Sequence, residues 1–574
     1  MTTKSDPTTP ATPATPTTPA TPVAPTTRQA GPPPDGDTGF VRHAVVVAGF
    51  TLASRLTGLV RDAVLAALLG LSTVADAFFL GFLVPNLFRR LFGEGALAAA
   101  FIPHYSDVHR QDAERARRFA SLALALLTLV LVTITLLGEA SLAAMLAWGD
   151  WDATTALALR LMMLMLPYMP LVCVAALLAA VLQVRGRFGP PAAAPVILNL
   201  FMITAAAAAA LAAADAERIA HAVALGVLVA GVVQVVWLVL AARAHLARHR
   251  PLADLWPPLR STLVLMLPMI AGLAVFQLNA LLDSLIAFGF SPRTTGAARF
   301  TLGPWSLPYP IEPGSVGALQ WAQRLYQFPL GVFGIAVATA IFPALASAAK
   351  GEPDAGAGDD FLAILQRGLR LTVFIGLPAS AGLMLLALPA VRVIYERGAF
   401  HADDSARVAA ILVGYAASVW AYSMMHLLAR AYHARKDARA PLYASLAAVG
   451  FNLLLNLVLI WPLGAAGLAW STALSAVIHL LILLAIIGRH VDGGVRTLLA
   501  PAVWRSWART AALTAGMALT LVLGLAVVDP ATLGPAGVAL LLALAVAGGA
   551  ALFFAAARLT GAEELTWLLN RERR

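Results

Sequence analysis

Apolar stretches of about 20 residues recur along almost the whole chain, each long enough to cross a hydrocarbon core. Lipid offers no partner to a backbone group, so only helices or closed barrels can serve as spans. The apolar runs lack the strict alternation of a barrel strand. With 60% hydrophobic and 12% charged residues among 574, and a mean hydropathy of +0.80, a soluble globular fold is excluded. The chain reads as an all-α polytopic membrane protein.

About fourteen spans are predicted, near 43–70, 76–102, 119–148, 155–184, 191–214, 219–242, 261–289, 316–348, 362–395, 406–433, 440–461, 464–488, 508–528 and 536–558. The loops supply an independent check. One alternate set, from "HRQDAERARR" to "GRHVDGGVRTLLAPAVWRSWAR", carries about 21 Lys and Arg, the other about 6, and such asymmetry puts the first set in the cytoplasm. Both termini then lie there too. Residues 1–37 are a Pro/Thr/Ala tract without the apolar core of a signal peptide and read as a disordered tail. Residues 561–574 read as a second tail.

The formal charge of +10 falls mostly in loops between spans. That pattern fits topology and contact with anionic membrane lipids, not nucleic acid. Cys173 is the sole cysteine, so the chain has no internal disulfide and no cysteine-based metal cluster.

A faint internal repeat is present. "VPNLFRRLFGEGALAAAFIPHYS" (84–106) parallels "RLYQFPLGVFGIAVATAIFPALAS" (324–347), and "QVRGRFGPPAAA" (183–194) parallels "HARKDARAPLYA" (433–444). The economical organisation is a six-helix lobe over 43–248, a second over 258–490, and two further helices over 503–560. Repeats of this kind place a substrate site where the halves meet.

The first span holds "SRLTGLVRD" (54–62), with Arg55, Arg61 and Asp62 inside an apolar run. Each such charge costs roughly 2.5–3.5 kcal/mol at a bilayer centre. Ser54, Gly58 and Arg61 fall at i, i+4 and i+7, and Arg55 and Asp62 are seven apart, so the polar residues form a stripe. Leu52, Leu56, Leu59 and Ala63 flank it and are expected to face lipid. The second span adds Asp76, Arg89, Arg90 and Glu94, and the eighth adds Arg324. Two readings stand. These groups are interhelical ion pairs, or they line a wet cavity whose five arginines exceed its three carboxylates. The guanidinium fork suits phosphate oxygens, so the second reading implies anionic cargo. Arginine is also this chain's habitual cation, since it has only three lysines. No G-x-x-x-x-G-K-[ST] phosphate loop and no H-E-x-x-H zinc motif is present, so neither ATP hydrolysis by a P-loop nor that metalloprotease chemistry is encoded.

Three stretches together are distinctive: "SRLTGLVRD…ADAFFLGFLVPNLFRRLFGEGALAAAFIP", "AQRLYQFPLGVFGIAVATAIFPALA" and "VIYERGAFHADDSARVAAIL". They resemble the MurJ/MviN family of the multidrug/oligosaccharidyl-lipid/polysaccharide exporter superfamily, over about residues 43–560. The resemblance implies a non-enzymatic, fourteen-helix flippase of the bacterial cytoplasmic membrane. Its cargo would be lipid II, the undecaprenyl-pyrophosphate-linked peptidoglycan precursor, moved by alternating access. By motif, Arg55, Arg61 and Asp62 match the family's first-helix charges. Asp76, Arg89 and Glu94 match the second helix, and Arg324 the eighth. Gln327 departs from the pattern, standing where many members have a carboxylate.

A second constellation is Asp283, Asn452, Asn456 and Thr472. In some relatives a similar set holds sodium, and oxygen ligands suit such a hard cation. The plainer reading is asparagines bonding between helices. No other cofactor is expected. The alternatives within transport are a flippase for another polyprenyl-pyrophosphate oligosaccharide and a drug/cation antiporter of the same superfamily. A positive cavity disfavours the latter. An inactive relative acting as a membrane scaffold would tolerate loss of the arginines.

Overall fold

The computed structural model describes residues 36–569, apart from 94–95, 248–255, 293–298, 303, 332–334, 351–360, 438, 490 and 492. The predicted N-terminal tail, up to residue 35, therefore lies outside the described residues, as does Glu94.

The first half of the chain comprises α1 (Gly36–Leu69), α2 (Thr73–Gly93), α3 (Ala96–Gln111), α4 (Ala113–Trp148), α5 (Ala153–Met165), α6 (Tyr168–Val184), α7 (Gly189–Leu211) and α8 (Ala216–Ala242). The second comprises α9 (Trp256–Gly289), α10 (Ser315–Pro329), α11 (Ile335–Lys350), α12 (Phe361–Leu385), α13 (Ala387–Tyr395), α14 (Ala402–Ala416), α15 (Val419–Ala434), α16 (Arg439–Leu463) and α17 (Ala465–Gly488). The short α18 (Gly494–Leu498), the long α19 (Pro501–Val527) and α20 (Pro535–Leu559), and a closing α21 (Glu563–Leu569) complete the chain.

Ten helical segments among the described residues are long and apolar enough to cross a membrane. The other four predicted spans coincide with α1, α2 with α3, α9, and α10 with α11. Several single predicted spans are helix pairs, such as α5 with α6 across Leu166–Pro167. A proline lacks the amide hydrogen its turn needs, so the helix bends or restarts there. Two further features differ from the expectation. The segment between α9 and α10 contains an antiparallel hairpin, β1 (Arg299–Leu302) on β2 (Trp305–Pro308), with Arg299 opposite Pro308. Residues 563–569, read as tail, form α21, which packs on α12 and α20.

The repeat appears in the packing. α1 lies on α7 as α9 lies on α16, α3 on α6 as α11 on α15, and α7 on α8 as α16 on α17. It also appears in the turns. After α6, Gly186 N donates to Gln183 O (3.0 Å) and Arg187 N to Leu182 O (2.9 Å). After α15, Lys436 N donates to His433 O (3.0 Å) and Asp437 N to Tyr432 O (3.0 Å). Each turn needs a left-handed residue, with φ of 71° at Gly186 and 60° at Lys436. Glycine takes this conformation freely, and lysine does not.

The halves meet tightly at one end. Ala399 N donates to Ala67 O at 2.7 Å, backbone to backbone. Gly398 beside it has φ +59°, and a Cβ there would overlap the Ala67 carbonyl. Trp321 sits edge-on to Phe79 and Phe400, both at 5.5 Å. With Leu65, Leu69 and Phe78, these rings form one buried cluster shared by both halves.

Candidate functional site

Beneath this junction lies a cavity of about 1450 Å³ between the halves. Its walls differ in chemistry. α1 and α2 present Arg55, Arg61, Arg89 and Arg90, and α10 adds Arg324. α15 and α17 present neutral groups that include Tyr422, His426 and His479. α12, α19 and α20 present Phe374, Met517, Leu521 and Phe553, an apolar wall. Among the described residues, five arginines line the cavity against two aspartates, Asp62 and Asp283.

Asp62 joins the halves. It is 4% exposed. Its Oδ1 accepts from Arg61 Nη2 at 2.5 Å and Nε at 2.9 Å, and its Oδ2 accepts from Arg324 Nε at 2.7 Å. One carboxylate thus serves two guanidiniums, and the group keeps a net positive charge. Charge-assisted, hydrogen-bonded pairing is what makes such burial tolerable.

Asn199 on α7 completes this group. Its Oδ1 accepts from Arg61 Nη1 (3.0 Å), and its Nδ2 donates to Ser54 O and Thr57 Oγ1 (both 3.1 Å). A Cβ on Gly58 would stand 3.5 Å from that Nδ2. The face carrying Ser54, Gly58 and Arg61 therefore packs on α7. Ser54, Gly58 and Arg61 also line the cavity, together with Arg55 and Leu59, while Leu52 and Leu56 at its rim remain more than half exposed. Helical spacing identified the polar stripe, and Asn199 of α7 is the neighbour that satisfies part of it.

On α2, Arg89 Nε donates to Asn86 Oδ1 at 3.0 Å, and Arg90 Nη1 to Gln277 Oε1 of α9 at 3.2 Å. Asp76 is not brought to the cavity. It is 2% exposed, and its carboxylate accepts from Gly314 N (2.7 Å) and Gly317 N (3.0 Å) at the start of α10. A carboxylate suits a helix N-terminus, whose first amides lack partners. Here it caps a helix of the other half and supports the junction. Sequence reasoning missed Asn199 and Gln277, although Asn199 stands as an isolated polar residue in "PVILNLFMI".

The second constellation does converge. Asp283 Oδ1 accepts from Asn456 Nδ2 (2.7 Å) and its Oδ2 from Thr472 Oγ1 (3.2 Å). Asn456 Nδ2 also donates to Asn452 Oδ1 (2.9 Å), and Asn452 Nδ2 to Thr472 Oγ1 (3.3 Å). All four residues are buried, Asp283 to 1% exposure. Asn456 Oδ1 is buried without a hydrogen-bond partner. Asp283 and Thr472 reach the cavity wall. Unlike Asp62, Asp283 has only neutral partners among the described residues. One carboxylate, two amide oxygens and a hydroxyl are a donor set that fits a monovalent hard cation.

The sequence profile of the family described as lipid II flippase MurJ matches residues 65–535. The chain belongs to this family. A probable lipid II flippase MurJ of Vibrio cholerae is 32% identical over 472 residues, covering 79% of this chain and 83% of its own length. A lipid II flippase MurJ of Burkholderia cenocepacia is 30% identical over 454 residues, covering 77% and 82%. Among solved structures, a lipid II flippase MurJ in an inward closed conformation superposes with a TM-score of 0.71 at 22% identity, over 90% of this chain and 98% of that one. An inward-facing multidrug resistance MATE family transporter of the MOP superfamily gives 0.55 at 14% identity, over 76% and 96%. The fold is thus shared across flippase and drug-transporter branches, and the cavity chemistry must separate them.

Proposed function

We propose that this chain moves lipid II from the inner to the outer leaflet of the bacterial cytoplasmic membrane, by alternating access and without covalent chemistry. The observation that carries the reading is a single cavity whose arginines outnumber its carboxylates and whose opposite side is apolar. Lipid II is an amphiphile of matching kind, with a pyrophosphate for the arginines and a prenyl chain for the apolar wall. Family membership supports the same cargo. A cavity with surplus positive charge repels a cationic drug, and this counts against the antiporter reading although the fold is shared with a MATE transporter.

The halves, 43–248 and 258–490, rock about the site in this reading. Helices 503–560 accompany them, and both termini stay cytoplasmic. The tight junction around Ala67 and Ala399 is then the gate that must open outward. Sodium occupies the Asp283, Asn452, Asn456 and Thr472 cluster in part of the cycle. Turning the Asn456 amide would present Oδ1 in place of its NH2, so cation binding and the present hydrogen-bond net are exchangeable states of one site.

The deciding experiment is growth. The gene should sustain a host depleted of its own lipid II flippase, with lipid II reaching the outer leaflet. Failure despite normal membrane insertion would overturn the reading. A reporter active only outside the membrane, fused at the C-terminus, should be silent.

A further inference from the structure

The chain does not end with its last long helix. A left-handed Gly561 (φ +63°) turns it back, and α21 packs on α12 and α20 and is hydrogen-bonded to α19. There Glu564 is 0% exposed. Its Oε1 accepts from Arg370 Nε of α12 (2.8 Å) and Ser506 Oγ of α19 (2.6 Å), and its Oε2 from Arg509 Nη2 of α19 (2.6 Å). Arg370 also reaches Glu563 at 2.6 Å and lies over the Trp567 ring at 4.6 Å. Burial alone would raise the Glu564 carboxyl, but the Ser506 hydroxyl, the Glu564 backbone amide and the Arg370 guanidinium more than offset it and hold it below its ordinary range.

The same helices are tied elsewhere along their length. Phe374 of α12 packs on Phe553 of α20 at 5.1 Å. At the far end, Arg392 of α13 donates to the Pro530 carbonyl, in the turn joining α19 to α20. The extensive contacts of α19, α20 and α21 outside their own group run to α12 and α13, all in the second half.

We infer that Glu564 pins a latch that fixes α19 and α20 to the second half, so that the apolar wall of the cavity travels with that half as one rigid piece. A buried carboxylate shared by two guanidiniums cannot release either cheaply, because a buried charge without its partner is strongly disfavoured. The latch therefore stays shut while the halves rock. This rests on the flippase reading above. Glu564 touches no cargo and is a positioning residue.

The test uses the full chain in a Cys173→Ser background, with nitroxide labels at Leu388→Cys on α13 and Leu544→Cys on α20. A reference pair sits at Leu446→Cys on α16 and Leu481→Cys on α17. Glu564→Gln should broaden the 388–544 distance distribution, leave the 446–481 pair unchanged and reduce growth support at least tenfold. Glu564→Asp, which keeps the charge, should restore growth in part. An unbroadened 388–544 distance in Glu564→Gln, or growth equal to the parent's, would overturn the latch. Equal broadening of both pairs would also overturn it, since that marks general loosening. If Glu564→Gln fails to insert, Arg509→Gln, which removes the partner of Oε2, carries the same readouts. Failure of the unlabelled parent to sustain growth would count against the flippase reading alone, because the distances judge the latch independently.

Discussion

Each half of the molecule places an aspartate on its first predicted span beside an asparagine on its fifth. In the first half, Asp62 of α1 lies near Asn199 of α7, both bonded to Arg61. In the second, Asp283 of α9 bonds Asn456 of α16. The scaffold is the same, and the chemistry is opposite. Two arginines over-compensate Asp62, while neutral donors alone surround Asp283 among the described residues. A repeat can thus keep its packing while one copy carries surplus positive charge and the other an aspartate held by neutral donors alone. What differs is a few charges placed where neither lipid nor bulk water can screen them.

The comparison breaks most severely at Asp62. Asp62→Ala leaves Arg61 and Arg324 without their shared carboxylate, and removing one partner of a buried ion pair costs about 3 kcal/mol or more. A large fall in melting temperature of the purified protein should accompany loss of growth support. Unchanged stability would show that the pairs contribute little.

Next come the arginines themselves. Arg61→Ala, Arg89→Ala and Arg324→Ala should each abolish growth support in a depleted host while the protein still inserts. Arg324→Lys should rescue poorly, because an ammonium lacks the guanidinium fork. Exchanging Arg89 and Glu94 separates the alternatives. Restored function would make pairing sufficient and remove the arginines' role toward cargo.

In the second half the expected effect is smaller and depends on the ion. Sodium at ten times its Kd should stabilise the parent by about 1.4 kcal/mol by mass action, relative to potassium. Asp283→Ala should lose that difference, and Asp62→Asn should keep it. The same sodium response in Asp283→Ala as in the parent would leave the cluster a plain hydrogen-bond net.

The equivalent turns give the smallest and cleanest contrast. Lys436 adopts a left-handed conformation that Gly186 adopts without strain. Lys436→Gly should stabilise by about 0.5–1 kcal/mol, and Gly186→Lys should destabilise by about as much, both read from melting curves. Equal and opposite shifts would confirm that the two turns are one motif.

Much of this arrangement could be read from the chain. The apolar runs required membrane helices, and the parallel at 183–194 and 433–444 marked two turns with the same hydrogen bonds. Arg55, Arg61, Arg89, Arg90 and Arg324 do line one cavity, and Asp283, Asn452, Asn456 and Thr472 do meet. Charged and amide side chains are so costly in lipid that their positions alone point inward.

Partnership was not legible. Periodicity could not tell that the stripe of α1 meets Asn199 of α7, because a stripe on one helix does not name the helix it meets. Asp76 looked like one more cavity charge, and its use as a cap depends on where α10 begins, 238 residues along the chain. Glu564 sat in an apparent tail and is a buried carboxylate once Arg370 and Arg509 close on it.

Sequence by itself determined the membrane helices, the repeat and the pool of charges, because burial cost and helical spacing act locally along the chain. Tertiary structure alone decided which charges cancel and which remain for a ligand. That outcome depends on distances of a few ångströms between residues far apart in sequence, and an electrostatic sum has no value until those distances exist.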